Sequence, residues 1–273
     1  MRKEAISNSL FIYVVLVAII ILYNGRSFLG LFSFTSGEPP TNNSMSLSTK
    51  KSLPVILIHG YSEDSSVWSS EWQGLLQKDG IPFYAVTFNQ SDDKCGPAAS
   101  HAKELEQIVK NIEASTGQNQ VNMVAHSKGG LDARVYLSNS TITDVANLIM
   151  IGTPNGGSPL ASPSDPCSPA IYDFIDHAPA TMVPKNPHTQ YHTIAGIWNP
   201  SLLQNCPQPG WQQLELNGYL TLSSMGYELS DGIVPVSSVQ SEAYFHSLGN
   251  TADCHTNLLT NKEYTLAAPV LKS

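Results

Sequence analysis

Residues 120–134, Gln-Val-Asn-Met-Val-Ala-His-Ser-Lys-Gly-Gly-Leu-Asp-Ala-Arg, leave few folds open. Val121, Met123 and Val124 form an apolar run of the kind that makes a buried strand, and Leu131, Ala133 and Val135 supply one apolar face of a helix after it. Ser127 stands at the junction. A turn this tight admits only small neighbours, and Ala125, Gly129 and Gly130 meet that demand, so the run fits the strand-turn-helix elbow G-x-S-x-G with Ala at its first position. The elbow lifts the serine hydroxyl above the strand end, at the positive end of the helix dipole, where an alkoxide or oxyanion is favoured.

Ala125-His126-Ser127-Lys128-Gly129-Gly130 behind an apolar strand, with His59-Gly60 well upstream, resembles the lipases and esterases of the α/β-hydrolase superfamily, in particular small microbial lipases with Ala in the elbow. The resemblance runs over about residues 52 to 270. It implies a mostly parallel central sheet with helices on both faces. It also implies two backbone N–H groups that receive the oxyanion, one from the first strand-to-helix loop and one from the residue after the nucleophile. Here those are Tyr61 and Lys128. His59 is read as a structural prop of its loop, not as an acid or base.

The rest of the chain agrees with that fold class. Strands are expected at Pro54 to Ile58, Ile81 to Phe88, Val145 to Ile151 and Tyr191 to Ile197, with helices at Trp68 to Gly80 and Pro97 to Thr116. Strand and helix in alternation predict right-handed crossovers and a parallel sheet that binds ligands at the carboxyl ends of its strands. Two stretches interrupt the alternation, at about 158–190 and 198–229, rich in Pro and polar residues. We read them as cap or lid pieces shaping an acyl pocket, with Ile171, Tyr172, Phe174, Ile175, Met182, Trp198 and Trp211 as candidate lining.

A serine needs a base, and the base needs an acid to fix its tautomer. In the superfamily these follow in the order Ser, Asp or Glu, His. Asp231, in the turn Ser230-Asp-Gly-Ile-Val-Pro235, is the expected acid; Asp165, Asp173 and Asp176 lie in the first insertion, away from a strand end. His255, 24 residues further on in a loop ahead of a C-terminal helix, is preferred as base over His246, which falls in an expected last strand at Ala243 to Leu248. The implied chemistry is hydrolysis of an acyl ester or lipid through an acyl-enzyme, with no cofactor and no metal. An acyltransferase or lipid-anchor deacylase would use the same residues, and a non-catalytic binding module is the reading from another class. His188-x-x-x-His192 lacks a third ligand and an expected helix.

Composition bounds the rest. The 273 residues, 41% hydrophobic and 13% charged, suffice for one α/β domain at 51–273, and a net charge of −8 argues against nucleic acid. Positions 5 to 25 hold 21 uncharged residues behind Arg2 and Lys3, so residues 1–34 read as a signal anchor or a cleaved signal peptide, and 35–50 as a flexible tether. Either places the catalytic part outside the cytoplasm. Cys95, Cys167, Cys206 and Cys254 are expected as disulfides, Cys167 with Cys206 across the insertions and Cys95 with Cys254 on the His255 loop; a zinc site is the alternative.

Overall fold

The computed structural model describes residues 52–162, 167–175, 177–202, 205–206 and 209–273. The expected anchor and tether lie outside them, as do Asp165 and Asp176. No helix among the described residues is long and apolar enough to cross a membrane.

Six strands form one wholly parallel sheet in the order β2-β1-β3-β4-β5-β6. They are β1 (Val55–Ile58), β2 (Phe83–Ala85), β3 (Val121–His126), β4 (Val145–Ile151), β5 (Gln190–Gly196) and β6 (His246–Thr251). The helices that position the site are α1 (Trp72–Lys78), α2 (Ala98–Thr116), α3 (Lys128–Leu137), α4 (Pro209–Ser224) and α5 (Asn261–Leu271).

Because side chains alternate along a strand, every central strand feeds two apolar layers. Ile56 and Ile58 of β1, with Met123 and Ala125 of β3, pack beneath α2 and α3 through Leu105, Val109, Ala133 and Leu137. Val55, Leu57, Val124 and Ile149 point the other way, to Trp68, Trp72, Leu76, Tyr264 and Leu271. Each fully buried Leu, Ile or Val contributes roughly 1.5–3 kcal/mol of apolar burial, so the sheet is held from both faces. Helix α2 stops at Gly117, whose φ of 68° closes the last turn with its N–H on the Glu113 carbonyl.

Three expectations need correction. The strand expected over Ile81 to Phe88 is only three residues long, at Phe83–Ala85. The helix expected from Trp68 is split into a 3-10 turn, Ser65–Ser69, and α1. The disulfides join Cys95 to Cys167 and Cys206 to Cys254, with Cα separations of 4.9 and 5.4 Å. The reason is where the insertions pack. Asp173 of the first insertion accepts from the Ala98 N–H at the start of α2, which brings that insertion onto the loop of Cys95. The second insertion folds onto the base loop instead, where the Cys254 N–H donates to the Asn205 carbonyl and the Thr256 N–H to Glu215. Each insertion is thus tied to the body of the domain.

Candidate active site

Strand β3 ends at His126 and α3 begins at Lys128, so Ser127 alone makes the turn, with φ 50° and ψ −128°. A non-glycine residue in that region is strained and persists only where its surroundings impose it. The surroundings here are the two glycines. A Cβ on Gly129 would collide with the carbonyls of His59 and Ile58, and one on Gly130 with the Thr153 side chain. The close passage of α3 over β1 and β4 therefore sets the serine's position.

The acid turn is built as tightly. Asp231 is fully buried, and its Oδ1 accepts from the N–H groups of Ile233 (2.9 Å) and Val234 (2.7 Å). Its Oδ2 lies 2.7 Å from His255 Nδ1, and its carbonyl takes the His255 N–H at 2.9 Å. His255 Nε2 lies 2.9 Å from Ser127 Oγ. Gly152, after β4, has φ 58°, and a Cβ there would stand 3.3 Å from both Asp231 Oδ2 and His255 Cε1. A side chain at that corner would press on the carboxylate–imidazole contact itself.

The first loop comes equally close. A Cβ on Gly60 would approach Ser127 Cβ to 2.8 Å, so the Gly60-Tyr61 backbone runs beside the serine. Lys128 opens α3, where the first N–H groups of a helix have no partner within it. His59 is buried, with Nδ1 3.0 Å from the Gly60 carbonyl and Nε2 2.9 Å from Asp93, in keeping with its reading as a prop. Burial lowers its proton affinity, but the Asp93 carboxylate outweighs that and leaves it raised.

Ser127, Asp231 and His255 are thus brought into one hydrogen-bonded chain, with Lys128 next to the serine and Tyr61 next to Gly60 on the loop that passes it, whereas His246 is exposed on β6 near His192. The Lys128 ammonium meets neither solvent nor the serine. It is buried 2.5 Å from Asp132 and 3.6 Å from Asp173, and His101 holds the other Asp132 oxygen at 2.8 Å. Among the expected pocket residues, Ile171 and Trp198 are buried in the body, Trp198 against the Cys206–Cys254 bridge, while Tyr172 and Met182 are exposed.

Two acids were not anticipated. Glu63 accepts from the Gly60 N–H (2.7 Å) and faces His126 (2.9 Å). Glu215, on α4, is fully buried, with Oε1 on the Thr256 N–H and no partner for Oε2. Burial first, and the neighbouring Asp231 charge second, hold its carboxyl well above the usual range. It lies beside both sulfurs of Cys206 and Cys254, but these are joined as a disulfide and offer no thiolate to a metal.

The palmitoyl protein thioesterase family profile matches residues 54–201, more than half of the chain. The chain belongs to that family. Among its relatives, the triacylglycerol lipases of Pseudarthrobacter phenanthrenivorans and Burkholderia plantarii are each 31% identical over 160 residues. That span is 53% of this chain and 49% and 43% of theirs, so the chain spans about half the length of the relatives it matches. A crystal structure of a Bacillus licheniformis lipase in mature form superposes with a TM-score of 0.62 at 19% identity, covering 86% of this chain and 96% of that one. The α/β-hydrolase fold expected from the elbow is borne out by that likeness and by the parallel sheet of this palmitoyl protein thioesterase family member.

Proposed function

We propose that the chain is a serine carboxylic ester hydrolase acting on acyl or lipid esters through an acyl-enzyme on Ser127. The observation that carries this is the unbroken sequence Asp231 Oδ2, His255 Nδ1, His255 Nε2, Ser127 Oγ at 2.7 and 2.9 Å. His255 takes the serine proton as Oγ attacks the ester carbonyl, and Asp231, fixed by two backbone N–H groups, holds the ring and stabilises the imidazolium. The N–H groups of Tyr61 and Lys128 receive the oxyanion. His255 then protonates the leaving alcohol, and water releases the acid by the same route. The 31% identity to two triacylglycerol lipases supports an ester substrate, and the family name supports a long acyl group.

The N-terminal uncharged stretch and the two disulfides support an extracytoplasmic domain tethered to a membrane or secreted. The test uses the full chain in mild detergent with p-nitrophenyl esters of short and long acids, a palmitoyl thioester and a fluorophosphonate probe. Ester hydrolysis and labelling of Ser127, both lost in S127A, are expected. Turnover of the thioester alone would move the substrate class, and no turnover with no labelling would refute the reading.

A further inference from the structure

His126, the residue before the nucleophile, is buried at the end of β3 with both ring nitrogens engaged. Nδ1 lies 2.9 Å from Glu63 Oε2, and Nε2 lies 3.2 Å from the main-chain carbonyl of His255. Both partners are acceptors. A neutral imidazole carries a single N–H and satisfies only one of them, whereas an imidazolium satisfies both. The same Glu63 oxygen accepts the Gly60 N–H at 2.7 Å, one residue before the Tyr61 donor. One carboxylate and one ring thus touch the oxyanion loop, the elbow and the base loop together.

Resting on the ester-hydrolase reading, we propose that Glu63 and a doubly protonated His126 form a positioning pair that fixes the Gly60-Tyr61 loop against the His255 loop. The pair also keeps the Glu63 charge neutralised beside the oxyanion site. Neither residue touches the reacting atoms. Their effect passes through the two loops they join.

The electrostatics agree. The charged and titratable groups facing His126 are Glu63 from the first loop, His255 from the base loop and Asp231 from the acid turn. Burial disfavours the His126 cation, yet Glu63 outweighs it and the proton is held more tightly than in an ordinary histidine. Burial likewise disfavours the Glu63 carboxylate, and the His126 charge overcomes this, bringing it to about 2. When His126 does lose its proton, one of the two hydrogen bonds is lost with it. An uncompensated carboxylate then stands one residue from the developing oxyanion and opposes it. Turnover therefore falls on the alkaline side. In E63Q the amide oxygen takes the place of Oε2 and still accepts from the Gly60 N–H and from Nδ1–H of a neutral His126, so that only the bond to the His255 carbonyl is given up. The contact to the Gly60-Tyr61 loop survives without the charge.

The test compares pH profiles of kcat for wild type, E63Q and E63D, together with nitrogen NMR of the full chain carrying 15N-labelled histidine. Wild type and E63D should lose about tenfold in kcat across an alkaline step that E63Q lacks, while the acidic side of the profile stays the same in all three. At pH about 7.5, one unit above the ordinary histidine value, the His126 ring, told apart from His59 and His101 by its through-space contact to the His255 ring, should be protonated on both nitrogens in wild type and on one in E63Q. The same alkaline step in E63Q, or a singly protonated His126 in wild type at that pH, overturns the proposal. The wild-type spectrum decides even if a variant fails to fold. Ring protonation is read without turnover, so a chain that cleaves no ester would refute the functional reading while this arm still tests the pair.

Discussion

Replacing Lys128 with Met keeps the unbranched stem, one atom shorter, and removes its charge. The ammonium lies 2.5 Å from Asp132 and 3.6 Å from Asp173, with Lys128 and Asp132 side chains each only 2% exposed. Between exposed groups such a pair contributes little, about 0–1 kcal/mol. Here solvent cannot take over when the cation goes, and breaking a buried pair from one side costs about 3–5 kcal/mol because the remaining charge is stranded. Most of that penalty falls on Asp132. Burial pushes its carboxyl up, and Lys128 with His101 pulls it down below the ordinary value. Asp173 is raised by burial against the pull of Lys128, so it bears less of the penalty. For a domain of roughly 150–250 residues the loss corresponds to about 6–20 °C in Tm, at 2–4 °C per kcal/mol.

The pH dependence has a definite sign. A carboxylate with a depressed folded pKa contributes stability above its unfolded value and loses it as pH falls through the folded one. The K128M deficit should therefore be full at neutral pH and shrink toward acid, as the stranded Asp132 of the variant takes up a proton before the depressed Asp132 of wild type does. Adding D132N removes the stranded charge and should restore much of the loss. Calorimetric melts of the full chain in mild detergent from pH about 3 to 8, spanning the ordinary Asp value, check this, with K110M, which breaks only the exposed Glu106 pair, as a control expected to melt like wild type. A K128M deficit under about 1 kcal/mol, or one that D132N worsens, would refute the argument.

Two further outcomes follow from the site. H255A should lower kcat/KM on an activated ester by about 10⁴-fold or more, whereas H246A, on the exposed face of β6, should leave it close to wild type; the reverse would reassign the base. Glu215 binds a proton more tightly folded than unfolded, so its stabilising contribution is present below the ordinary carboxylate range and lost as pH rises through its raised value. E215Q keeps an acceptor for the Thr256 N–H, and its Tm relative to wild type should climb as pH rises above the ordinary carboxylate range; a flat difference would show that Glu215 does not titrate in the folded domain.

Much of this architecture is legible in local sequence. The elbow, β4 and α2 declare themselves because each is a short run whose apolar spacing and punctuation agree with its structure. Ser127, Asp231 and His255 follow from order along the chain and from turn chemistry. What escaped is what depends on distant packing. Helix α4 lies in a stretch read as cap or lid, because Pro209, Gly210 and Gly218 weaken its local signal. Its fit comes from Gly218, which passes so close to the Gly232 carbonyl that no Cβ fits. Glu63 reads as an ordinary turn acid until β3 brings His126 to it. Lys128 gave no hint that an aspartate of the first insertion would lie beside it. Cysteine pairing is illegible for the same reason, since four half-cystines in four separate loops carry no mark of which loops meet.

The Cys206–Cys254 bridge ends on the residue immediately before His255. Four thiols can close in three ways, and only the isomer seen here leaves Cys254 beside the α4 segment that holds the Thr256 amide. In either mispaired isomer Cys254 would be drawn toward Cys95 or Cys167, dragging the imidazole with it, although the sheet could still form. A molecule closed with either other pairing would have to exchange its sulfur partners before His255 could take its place. A freshly made batch should contain folded but idle molecules that a thiol–disulfide isomerase can rescue.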